Sequence, residues 1–290
     1  MGLEDQLAVL KSRGLIIDDE AIAVRQLSSI SYYRLASYWR PMEIDKASHQ
    51  FKPNSHFANA MDLYNFDMKL RSLIFTAIQK IEIAFRSKVI HSFSLPYGSF
   101  WFMDSTLFKN PAIFARCLGN LDDELKRTKE EFVLEHYAKY DSPAFPPVWK
   151  TMEVASFGTV SKIFSNFADN KVKKDVAKGF GLPQHLFLES WITAIAVLRN
   201  CVAHHARTWN RIFSIKPQLP SSLQGDWIAD RNIPPFKLYP FLCTMQYLLA
   251  ATNDREEFKE GIKSLLAQYP NVDATTMGFP AHWQDEPLWR

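Results

Sequence analysis

Residues 198–210 read LRNCVAHHARTWN, a guanidinium and an amide followed closely by two imidazoles. Cutting an RNA strand without a metal ion needs three groups: a base for the 2′-hydroxyl proton, a cation for the charge growing on the phosphorane, and an acid for the departing 5′-oxygen. An imidazole, whose ordinary pKa is about 6.5, both accepts and donates a proton close to neutral pH. Arginine stays charged and can hold two phosphate oxygens at once. His204 is therefore the candidate base and acid, and Arg199 the candidate phosphate ligand. Asn200 would orient His204 or touch the phosphate, with His205 beside it. Arg207, Trp209 and Arg211 follow, two further cations and an indole, of which Trp209 reads better as core than as a base-stacking surface.

An Arg followed by a His after four to six intervening residues is the spacing of one class of metal-independent ribonucleases, and alone it says little. With fourteen Arg and 8 His in 290 residues, roughly one chance match is expected, and RSKVIH, from Arg86 to His91, also fits. The 199–205 match differs in context, because an apolar run through Trp191, Ile192, Ala194, Ile195 and Leu198 leads straight into it. A helix is bringing polar side chains to one end. On that helix Asn200 and His204 share a face, whereas Arg199 and His204 stand about 140° apart. Either the long Arg wraps round, or a second copy supplies the missing half and the site belongs to a dimer.

Two other readings use the same residues. In one, Asn200, His204 and His205 satisfy the last carbonyls of the helix and favour the negative end of its dipole. In the other, Cys201, His204 and His205 hold a metal, with Glu189 as a further ligand, although no second cluster of ligands lies at a recognisable spacing. Elsewhere, Lys171, Lys174 and Lys178 in NKVKKDVAKGF lie on one helical face. That is a candidate stripe for tracking phosphates, or a solvated surface.

Periodicity defines the elements that must carry these residues. Apolar residues recur at three- and four-residue spacing, Gly is scarce at 10, and β-branched alternation is rare, so the chain reads as all-α. Helices are expected at 3–13, closed by Gly14; from Asp18 or Asp19 to about 28; over a very long span capped by Ser55; at 111–139, 148–169, 171–179 and 184–206; and at 236–252 and 254–267. Pro41 ends the aromatic segment ISYYRLASYWRPM, whose rings read as core, and Pro96 and Gly98 end the long helix. Residues 216–235 read as a long surface loop.

Hydrophobic residues make up 47% of the chain, enough for one large core or two modest ones, and the net charge is only +3, so any nucleic-acid surface must come from local clustering of cations. Cys117, Cys201 and Cys243 form no CxxC pair, which argues against disulfides and fits a reducing compartment. The first residues, MGLEDQLAVLKSRGL, lack the basic and apolar run of a signal peptide, and Gln6 breaks the myristoylation pattern. The most apolar windows, LFLESWITAIAVL and FLCTMQYLLAA, are too short to cross a bilayer. A cytoplasmic protein with no membrane partner is expected.

Five blocks in order, SYYRLASYW, YNFDMKLRSLIFTAIQKIEIAFRS, SFGTVSKIF, LRNCVAHHARTWN and MGFPAHW, resemble the Abi-like family of bacterial phage abortive-infection proteins, of the AbiD and AbiF type. That family in turn resembles the HEPN superfamily of all-helical domains, many of them RNases. The resemblance implies a HEPN-like helical bundle at 55–215, an N-terminal helical extension at 1–54, and a C-terminal loop, helices and Trp-containing tail at 216–290 packed on it. It places Arg199 and His204 in the motif's two invariant positions and Asn200 in the polar position after the Arg, with His205 matching a second family His. Arg71, Glu82 and Arg86 match recurring charged positions of the long helix. The implied function is a phage-defence endoribonuclease, metal-independent and without a cofactor, with a composite site across a homodimer. Arg86, Arg207, Arg211 and the three lysines are the RNA-binding candidates. The alternative is a non-catalytic RNA-binding protein, or a toxin held in a complex with a small structured non-coding RNA.

Overall fold

The longest apolar stripe in the chain becomes its longest helix, Phe57–Tyr97, 41 residues spanning about 60 Å at 1.5 Å per residue. In the computed structural model, which describes residues 1–45 and 47–290, the helices are α1 (Leu3–Ser12), α2 (Glu20–Ile30), α3 (Tyr32–Trp39), α4 (Phe57–Tyr97), α5 (Pro111–Arg127), α6 (Glu131–Lys139), α7 (Val148–Val154), α8 (Phe157–Asn166), α9 (Asn170–Lys178), α10 (His185–Ala203), α11 (Leu238–Leu248) and α12 (Arg255–Gln268). Among the described residues there is no β-strand, only three isolated bridges, so the fold is all-α.

Helix α4 is the spine: α3, α7, α8, α9, α10, α11 and α12 all pack on it. Its core stripe holds Leu70, Ile74, Ala77, Ile78, Ile81 and Phe85. Helix α10 lies in the middle, against α4, α8, α9 and α11, with Leu188, Trp191, Ile192, Ile195 and Leu198 fully buried. By length and composition α10 is the one helix among the described residues apolar enough to cross a membrane; its apolar face is taken up by neighbouring helices. One core runs through all three expected segments, from Leu10 and Leu35 through Ile74 and Trp191 to Leu242 and Trp289.

Four expectations need correction. The cap position of α4 is His56, not Ser55, and it caps without its side chain; the His56 ring instead meets Asp18 at 3.1 Å. Pro96 lies inside the last turn of α4, which ends at Gly98 with φ 75°. The helices expected at 111–139 and 148–169 are each two. At the second break the Ser156 hydroxyl accepts the Thr159 N–H, so a new helix starts where the apolar pattern alone runs on. Residues 216–235 are non-helical but are not a surface loop throughout. Trp227 and Ile228 are buried, and the Trp227 ring stacks on Trp191 with centroids 5.5 Å apart. An indole–indole contact of this kind adds about 0.5–1.5 kcal/mol to the area it buries, enough to hold an irregular segment against the core.

Candidate active site

The polar end of α10 is shaped by its own backbone. The amide of His205 donates to Val202 O at 3.0 Å and that of Ala206 to Cys201 O at 2.9 Å, while His205 takes φ 54°. This is a Schellman stop with histidine in the left-handed position that glycine normally fills. A non-glycine residue in this region costs on the order of 1 kcal/mol, so the surrounding contacts must hold it there. One of them is Arg34 on α3, whose Nη1 donates to the His205 carbonyl at 2.8 Å. The last carbonyls of α10 are thus taken by backbone amides rather than by imidazoles, which removes the structural task that end-capping would give the His pair. Both rings are exposed.

Below this turn lies a buried carboxylate that holds it in place. Asp67 on α4 has no solvent exposure. It accepts the Tyr38 hydroxyl at 2.7 Å, the Trp209 amide at 2.7 Å and the Thr208 amide at 3.1 Å, together with the Thr208 hydroxyl and the Arg71 guanidinium. Five donors from α3, α4 and the segment after α10 meet on one side chain, so the direction of residues 204–211 is set from beneath. Burial, and then the Asp67 carboxylate, push the Tyr38 hydroxyl pKa far above its ordinary value and keep it a donor. Trp209 is buried and stacked on Tyr38 at 6.5 Å, core as its sequence context suggests.

On the outer side, His204, His205, Arg34, Arg207, Tyr33 and Ser37 line an open pocket of about 310 Å³ with no carboxylate among its lining residues. Arg207 is half-buried; its Nη1 donates to Ser37 O at 3.2 Å and its guanidinium lies 5.9 Å from the Trp209 ring. Arg211 donates to the Arg207 carbonyl at 3.4 Å and lies over Phe213. An open concavity with two guanidiniums and two imidazoles is suited to a phosphate diester.

The remaining sequence candidates fall into three places. Asn200 is exposed on the last turn of α10, and Arg199 is half-buried there and does not line the pocket. The Arg199 Nε is buried with no hydrogen-bond partner among the described residues. Arg86 is buried, donating to the carbonyls of Met152 and Glu153 and pairing with Glu82 at 2.8 Å. It fastens the end of α7 and offers no surface to a nucleic acid. Lys171, Lys174 and Lys178 are exposed on α9, which packs beside the first turns of α10, where Lys173 meets Glu189 at 2.7 Å. That is about 22 Å from His204 along the helix, so the stripe and the pocket are separate features.

The metal reading fails on placement. Glu189 is committed to Lys173, and the buried Cys201 thiol faces the carbonyls of Ala206 and Arg207, its pKa raised by burial. Among the described residues no group of three His, Cys, Asp or Glu side chains stands close enough to hold an ion. Conversely, sequence reasoning overlooked Arg34 and Asp67. Asp67 and Arg71 are four apart inside an apolar stretch, a charged pair on a core face and a signal that a buried network was present. Arg34 is the one cation among the aromatics of α3.

A family model described as Abi-like protein matches residues 25–210, more than half of the chain. No curated protein and no solved structure gives a match. The matched span runs from α2 through the turn after α10 and takes in Arg34, Asp67, Arg71, Arg199 and both imidazoles, and on this match the chain belongs to the Abi-like protein family.

Proposed function

We propose that this Abi-like protein acts in phage defence by abortive infection, as a HEPN-type endoribonuclease that cuts RNA without a metal at a site completed by a second copy of the chain. The observation that carries the reading is the pocket at the end of α10, where two imidazoles and two guanidiniums surround an open concavity with no carboxylate in its lining. In the reaction one imidazole removes the 2′-hydroxyl proton as that oxygen attacks phosphorus. The bond from phosphorus to the 5′-oxygen breaks, and an imidazolium gives the leaving oxygen its proton. The products are a 2′,3′-cyclic phosphate and a 5′-hydroxyl. Arginine side chains hold the phosphate oxygens as charge grows.

One His204 per copy supplies a base or an acid, and two copies facing each other supply both. Arg199 does not line the pocket, so a role for it at the same phosphate requires the second copy. Phage-triggered growth arrest is expected in cells carrying the wild-type chain and lost with His204→Ala or Arg199→Ala. Co-expression tests the twin site: with equal amounts of wild type and His204→Ala assorting freely, cleavage should fall to about a quarter, because only one dimer in about four holds two intact copies. A fall to about a half would assign a complete site to each protomer.

A second reading, a non-catalytic RNA-binding protein or a toxin held silent by a small structured non-coding RNA, is favoured by the exposed lysines of α9. Their distance from the pocket suits a ligand longer than one nucleotide. RNA binding that survives every substitution at the pocket, with no RNA cleaved, would select it.

A further inference from the structure

On α4, Tyr64, Met68, Arg71, Ser72 and Phe75 follow one another at helical spacing and form a single stripe. With Val202 and Ala203 of α10 they line a second cavity, of about 530 Å³, mostly apolar. Arg34 and His205 line this cavity and also the His204 pocket, so the two compartments lie on either side of one guanidinium and one imidazole. Met68 is 43% exposed on the spine helix, so its thioether is open to a ligand at this cavity. Tyr64 and Phe75 are each half-buried beside it. Arg71, at the floor, is neutralised by Asp67 and does not turn the compartment into a second anion site.

We propose that this compartment takes the nucleobase next to the scissile phosphate, with Arg34 at the junction between base and phosphate. Such a unit has an anionic part and a flat apolar part joined by one sugar, and the paired cavities match that division. The His204 side presents cations and imidazoles, and the α4 side presents two aromatic rings and a thioether, surfaces on which any base can stack. Arg34 is already fixed by its bond to the His205 carbonyl, so the junction is built before ligand arrives. The inference rests on the ribonuclease reading and adds to it a positioning role for α4 that the Arg-to-His motif does not contain.

The test uses the full-length protein and short DNA oligonucleotides with one cleavable ribonucleotide, flanked on one side or the other by either a normal base or an abasic site. Removing the base on one side is expected to slow wild-type cleavage about tenfold, the scale of one lost stacking contact, and removing it on the other side to matter little. Met68→Trp, an exposed position filled by a larger ring, should cleave as slowly on the intact oligonucleotide as wild type does on the abasic one, with no further loss when the base is removed. Phe75→Leu keeps apolar bulk without the ring and should give the same pattern, which guards against a folding defect in either variant. Cleavage indifferent to both abasic sites, or equal sensitivity in wild type and variants, overturns the inference while leaving the ribonuclease reading intact. A change of molecular mass on light scattering with Met68→Trp assigns the stripe to a second copy and also overturns it. No cleavage of any RNA by wild type overturns both.

Discussion

Replacing His204 with alanine should lower the rate of RNA cleavage by about 10²–10⁴-fold, the range that one positioned proton-transfer group contributes. The change should leave thermal stability close to wild type. The ring is exposed at the helix end, and the helix stop beneath it is made by the amides of His205 and Ala206, which alanine preserves. Rate loss without stability loss is the signature expected of a reacting group. Loss of both together would instead mean that His204 holds the turn.

Asp67→Ala is expected to have the opposite profile, costing about 3–5 kcal/mol of stability, because removing one partner of a buried ion pair leaves the other charged and alone. Here the stranded group is Arg71, and the amides of Thr208 and Trp209 and the Tyr38 hydroxyl lose their acceptor with it. Denaturant unfolding reads the loss directly as a shift in midpoint. Cleavage should fall as well, through loosening of residues 204–211 rather than loss of chemistry. A loss under about 1 kcal/mol would show that the network is replaceable and that packing alone sets the direction of the turn.

These two residues also show where sequence reading succeeds and where it stops. The position of His204 at a helix end was legible because α10 announces itself by apolar periodicity, and a polar cluster straight after such a run must sit where the helix stops. The form of that end was not legible, since the left-handed position of a Schellman stop holds His205 and glycine is the usual signal. Of the partners of Asp67, only Arg71, four residues on, leaves a local trace in the sequence; those at positions 38, 208 and 209 are brought to it by tertiary packing, which no local pattern encodes. Arg86 was named as an RNA-binding candidate because it matches a recurring charged position of the resembling family, and only tertiary packing shows its guanidinium bound to the carbonyls of Met152 and Glu153. The burial of Trp227 likewise depends on Trp191, 36 positions away in sequence, and no composition of the intervening loop foretells it.

The central claim is that imidazole and guanidinium groups at the end of α10 cut RNA through its own 2′-hydroxyl. The most direct measurement is the chemical identity of the new ends when the purified protein cuts RNA in the presence of EDTA. A 2′,3′-cyclic phosphate on one fragment and a 5′-hydroxyl on the other, absent with Arg199→Ala and with His204→Ala, is the predicted result. A 3′-hydroxyl with a 5′-phosphate, or cleavage that stops when EDTA is added, would contradict it.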